Sequence, residues 1–125
     1  MRIAVVCAEA LTRSVAEIIL TGAGHAVVPA SSMHEGLVEL ARASTRGPRI
    51  DLLLVDGALP AAEATVLCHA TLASDAPWAI VLANDPEEAS AALAAGAIEV
   101  VAKPVMRDVL LASLERVRPY LAPSA

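Results

Sequence analysis

The chain has 125 residues, 57% of them hydrophobic, with 9 Lys plus Arg against 14 Asp plus Glu and a net charge of -5. That length holds one domain with its own core and not two. An acidic chain with no Phe, one Trp and one Tyr offers neither a phosphate-binding face nor a base-stacking platform, which excludes stand-alone nucleic-acid binding.

The two cysteines, Cys7 and Cys68, fit no metal-ligand spacing and point to a reducing, cytoplasmic setting. Arg2 to Cys7 is a β-branched apolar run, too short for a signal-peptide core or a membrane span, and reads as the first strand. Glu9 to Thr21 reads as a helix whose apolar face is Leu11, Val15, Ile18 and Ile19, with Gly22 and Gly24 as its stop. His25 to Val28 is a short second strand. Ser31 or Ser32 caps a second helix with the face Met33, Leu37, Leu40 and Ala41. Residues 45–49, with Gly47 and Pro48, form a surface loop.

The stretch from Arg49 to Pro60 organises the rest. Leu52, Leu53, Leu54 and Val55 run without a break and are followed by Asp56, Gly57 and Pro60. A short apolar run bounded by turn residues is a strand buried on both faces, as a central parallel strand requires. Ala64, Leu67, Cys68 and Leu72 mark a third helix, and Trp78 to Ala83 a fourth strand ending in Asn84. Asn84 or Asp85 caps an Ala-rich fourth helix that stops at Gly96. Ile98 to Ala102 is a fifth strand, followed by Lys103-Pro104. The last helix carries Val109, Leu110, Leu114 and Val117 and ends at Pro119. The domain is expected to span 1–119, with 120–125 a tail or the start of a linker. Strands alternating with helices imply βαβ units, a parallel sheet and helices on both of its faces, an α/β doubly wound fold.

Asp56 falls at the carboxyl end of a buried strand, where open α/β sheets place ligands and chemistry. An Asp there equally well caps a loop or the next helix. Lys103 follows the fifth strand as Asp56 follows the third, close enough for its ammonium to reach the carboxylate. At about 4 Å and an effective dielectric of about 20 that attraction is roughly 4 kcal/mol before desolvation is subtracted.

Two segments, DLLLVDGALP around Asp56 and AGAIEVVAKP from Ala95 to Pro104, resemble the phosphoacceptor strand and the fifth-strand signature of response-regulator receiver domains. The resemblance runs the length of the chain. It implies a flavodoxin-like fold with strand order 2-1-3-4-5, and transfer of a phosphoryl group from a partner histidine kinase to Asp56, assisted by Lys103 and a divalent metal. It also implies an acidic pair after the first strand, a Ser or Thr ending the fourth and an aromatic on the fifth. Those positions here hold Cys7 and Ala8, Ala83, and Val100. Neither Cys nor Ala is a hard oxygen ligand. Glu9 is the only nearby acid and reaches a metal only with a local shift.

The chain therefore reads as a degenerate receiver, not an enzyme, acting through contacts with a histidine kinase or a downstream effector, with no cofactor. The alternative is a working phosphoacceptor that uses Mg²⁺ held by Glu9 and Asp56, and a third is a small-ligand pocket. The fourth helix, fifth strand and last helix are the expected contact face, with a homodimer through Ala91, Ala95, Val100 and Arg107, and Glu99 and Asp108 as charged rim. Cys7 reads as a small apolar replacement and not a redox sensor. His25, His34 and His69 form no ligand set, and Trp78 packs at the edge of its strand. Arg42, Arg46 and Arg49 around Pro48 read as a solvated loop that could meet an acidic partner, whereas Arg107, Arg116 and Arg118, near and along the last helix, partly complement its dipole.

Overall fold

A computed structural model describes residues 1–57 and 78–120. The described elements are β1 (Arg2–Val6), α1 (Ala10–Gly22), β2 (Ala26–Ala30), α2 (Met33–Arg46), β3 (Leu52–Asp56), β4 (Trp78–Ala83), α3 (Pro86–Ala94), β5 (Glu99–Ala102) and α4 (Arg107–Val117). A 3₁₀ turn at Arg118–Tyr120 follows. Thus α3 is the fourth helix expected from sequence and α4 the last. The expected third helix, with Ala64, Leu67, Cys68 and Leu72, lies outside the described residues, as do Pro60 and His69.

All five strands are parallel, in the order β2-β1-β3-β4-β5, the flavodoxin-like arrangement expected. Every residue of β3 is buried, because it sits mid-sheet with layers on both faces. β2 lies at an edge and carries Pro29, whose missing N–H only an edge strand tolerates.

Alternate residues of the strands feed two cores. Ala4, Val6, Leu53, Val55, Ala79 and Val81 face one side and meet Met33, Leu37 and Leu40 of α2 and Ala92 of α3. Ile3, Val5, Leu52, Leu54, Ile80 and Leu82 face the other and meet Ala16 and Leu20 of α1 and Leu110, Leu114 and Val117 of α4. The period of two along each strand produces this division.

One helix face differs from expectation. Leu11 and Ile18 are 73% and 72% exposed, and α1 buries Ala16 and Leu20 instead, with Ile19 packed beside them. At 3.6 residues per turn, Leu11 and Ile18 share a face opposite Ala16. In α2, Ala41 is exposed and Ala43 packs against the core. In α4, Val109 is exposed and Ser113 is buried.

The helix starts are set by side chains. Ser32 Oγ caps α2 by accepting from Glu35 N at 3.2 Å, and the Glu35 carboxylate accepts from Ser31 N, one residue before the cap, at 2.6 Å. Those bonds to Ser31 hold the Glu35 carboxyl below its ordinary range. Asp85 caps α3 by accepting from Glu88 N at 2.8 Å, with Pro86 in the first turn. The chain leaves α3 through Gly96 at φ 109°, a conformation glycine adopts without steric cost. Trp78 opens β4 partly exposed, as expected of an edge position, and its Nε1 donates to the Tyr120 carbonyl at 3.0 Å. Among the described residues no helix is long and apolar enough to cross a membrane.

Candidate functional site

The carboxyl ends of β1, β3 and β5 converge on one cluster. The register pairs Val6 with Val55, so Cys7 comes level with Asp56. Ala83 pairs with Ala102, and Lys103 N donates to the Ala83 carbonyl at 2.9 Å, which sets Lys103 at the same level. Cys7 is anchored in turn: its N–H donates to the Ala30 carbonyl at 2.9 Å, and its own carbonyl accepts from Arg13 Nη1 at 2.7 Å.

Asp56 is 2% exposed. Lys103 Nζ forms an ion pair with its Oδ1, as the sequence leads one to expect. Cys7 Sγ lies 3.2 Å from Oδ2 and donates to it. Burial, and then the neighbouring Asp56 carboxylate, push the Cys7 thiol up to about 11; the Glu9 carbonyl and Lys103 oppose this only in part. The thiol is therefore protonated near neutrality, which leaves it a poor nucleophile. Cys7 is more than the apolar filler that its residue type suggests. Hydropathy alone hides this, but the register of β1 against β3 reveals it, because it sets an S–H donor opposite a carboxylate.

The remaining expected positions do not join this cluster as a set. Ala8 is exposed. Glu9 is exposed at the start of α1, and its carboxylate accepts from Thr12 Oγ1. Ala83 is buried at the end of β4 and brings no hydroxyl. Val100 is only partly buried and packs against the core beside α3. Of the expected contact residues, Ala91 and Arg107 are exposed, whereas Ala95 packs inward with Val100. Glu99 is engaged within the domain: its Oε1 accepts from Arg116 Nη2 at 2.7 Å and Ser113 Oγ at 3.3 Å.

A second arrangement was missed from sequence. Gly57 N donates to the Leu82 carbonyl at 2.7 Å, and a Cβ on Gly57 would sit 2.7 Å from that same oxygen. Only glycine allows so close an approach of β4. The Glu88 carboxylate fills the remaining space, with Oε1 3.0 Å from that Cβ position, and accepts from Asn84 N at 3.2 Å. This close approach is tertiary and has no local sequence signal.

The divalent metal implied by the resemblance does not fit these residues. Mg²⁺ demands oxygen ligands in near-octahedral array. Here Oδ1 of Asp56 faces an ammonium and Oδ2 faces a protonated thiol. Among the described residues no group of three or more His, Cys, Asp or Glu could hold a metal ion.

No protein-family model matches the chain, and neither does any curated protein. Solved structures do. A response regulator from Thermotoga maritima superposes with a TM-score of 0.78 at 22% identity, covering 93% of this chain and 95% of that one. A CheY-like response regulator receiver domain protein from Methanospirillum hungatei gives 0.75 at 22%, covering 95% and 94%. The chemotaxis protein CheY4 of Vibrio cholerae gives 0.72 at 23%, covering 93% and 97%. At these identities the likeness establishes the fold, which is that of response-regulator receiver domains.

Proposed function

We propose that this chain is a receiver-type domain of two-component signalling that works through protein contacts, with Asp56 serving as an ion-pair member and not as a phosphoacceptor. The observation that carries this is the Asp56 carboxylate itself, with Lys103 on one oxygen and the Cys7 thiol on the other. In-line attack on phosphorus needs a cation to neutralise the transferring oxygens, and here the Cys7 thiol stands beside Asp56 where an acidic metal ligand would be needed. Partners in this reading are a histidine kinase or a downstream effector in the cytoplasm, and the domain spans 1–119 with 120–125 as tail or linker. The test is incubation with acetyl phosphate and Mg²⁺ followed by intact mass. An unchanged mass is expected, and a phosphoryl mass on Asp56 overturns the reading.

The retained Asp56–Lys103 pair supports a second reading, a phosphoacceptor that rearranges on binding Mg²⁺ with Glu9 as further ligand; that same gain in mass would favour it. We further propose that α3, β5 and α4 form the contact face of a homodimer. Ala91 and Arg107 are joined there by Leu93, Met106 and Val109, all large apolar groups left exposed, while Ala95 and Val100 support the face from beneath. Sedimentation of wild type should show a dimer that Leu93→Asp converts to monomer. A wild-type monomer at every accessible concentration removes this claim.

A further inference from the structure

Cys7 is fully buried, and its thiol has two acceptors in reach: Asp56 Oδ2 at 3.2 Å and the Glu9 carbonyl at 3.4 Å. An S–H carries one proton. It goes to the nearer, ionised acceptor, because a hydrogen bond to a charged group is about twice as strong as one between neutral groups. Lys103 holds the other oxygen of the same carboxylate.

We propose that Cys7 is the positioning residue of the Asp56–Lys103 pair. Its thiol proton holds Oδ2 while the ammonium holds Oδ1, so the carboxylate stays ionised and in one orientation without a divalent cation. This deepens the reading above and rests on it only in taking the pocket to be metal-free. A buried carboxylate needs its lone pairs satisfied or it raises its own pKa and takes up a proton. A second carboxylate at position 7 would repel Asp56, and a hydrocarbon would leave Oδ2 without this donor. A neutral thiol avoids both, and its burial keeps it in the donor form.

Three charged groups of neighbouring elements have partners of their own. Glu88 of α3 accepts from Asn84, Glu9 from Thr12, and Arg13 of α1 donates to the carbonyl of Cys7.

Cys7 is also part of the apolar core, so the test separates positioning from packing. Lys103 acylation by acetic anhydride, read by peptide mass spectrometry, is compared in wild type, Cys7→Ala and Cys7→Ser. Loss of one hydrogen bond to a charged group should speed acylation about tenfold in Cys7→Ala, and the serine hydroxyl should restore a rate near wild type. If packing were the whole role, a smaller and more polar serine would do no better than alanine, and that result overturns the proposal.

A second measurement needs no change at Cys7. In Cys68→Ala protein the Raman S–H stretch reports Cys7 alone. It should lie at lower frequency than in a further Asp56→Leu/Lys103→Met variant, which keeps the core filled and removes the acceptor. Equal frequencies overturn the proposal and leave the contact-module reading standing. A gain of phosphoryl mass on wild type overturns the contact-module reading and, with it, the metal-free pocket on which the proposal rests.

Discussion

Two aspartates flank the same strand and live in different chemistry. Asp51 precedes β3 and is partly exposed; its Oδ2 accepts from Arg2 N at 2.8 Å, and Asp51 N donates to the Arg2 carbonyl at 2.8 Å. It extends the ladder between β1 and β3 with backbone partners. Asp56 ends the strand, fully inside, and side chains from the ends of two other strands pair with it. The opening of β3 is stitched by groups that water can replace, whereas the close of β3 holds a charge that only protein can satisfy. A parallel sheet converges its strand ends on one edge, so the same residue type is structural at one end and chemical at the other.

Removing the charge at each end should break the symmetry between them. Asp56→Asn leaves the mostly buried Lys103 ammonium without its counter-charge and should cost about 1–3 kcal/mol, measured by urea denaturation, while leaving partner binding largely intact. Complete loss of signalling in a folded Asp56→Asn protein would favour the phosphorelay instead.

The two ends should also fail at opposite edges of the pH scale. Cys7 titrates higher in the fold than its ordinary 9.0, at about 11. The unfolded chain therefore gives up this proton first. The stability contributed by the neutral thiol is complete below pH 9.0 and is lost as pH rises toward about 11. Cys7→Ser, which has no thiol to ionise, should lack that loss. At the other end His25, whose Nδ1 lies 3.2 Å from the Met1 amine, is held below its ordinary 6.5 by burial first and then by the positive charges of the amine and Arg118, with Glu115 opposing. The unfolded chain takes up this proton first, so stability is flat above 6.5 and declines as pH falls below it. His25→Gln should flatten that acid slope. Thermal melts from pH 5 to 11 read both edges. The smallest effect is expected at the opening of β3: Asp51→Asn keeps a carbonyl oxygen for Arg2 N and should change stability by less than about 0.5 kcal/mol.

The contrast also explains how much the sequence disclosed. The strands and helices follow from apolar runs of fixed period, which need no partner to be visible, whereas the strand order was implied only by the resemblance of the Asp56 and Lys103 segments to receiver domains. Asp56 and Lys103 were legible because each directly follows such a run. The role of Cys7 was not, because its residue type counts as apolar and its donor function exists only against β3. Leu11 and Ile18 misled for a related reason: hydropathy ranks them above Ala16, yet small Ala16 is the residue that lets α1 approach the sheet. Gly57 and Glu88 meet across β3, β4 and α3, a contact no local window contains.

The central claim is that the Asp56 end of β3 satisfies its charge from within and has no use for a cation. Calorimetric titration with Mg²⁺ tests this most directly, run on wild type beside a Cys7→Asp/Ala8→Asp/Ala83→Thr variant. The variant regains carboxylates that repel Asp56, so it should melt lower than wild type alone and recover on adding the ion. Wild type should show no saturable heat in the low millimolar range, and the variant should bind; saturable Mg²⁺ binding by wild type would contradict the account.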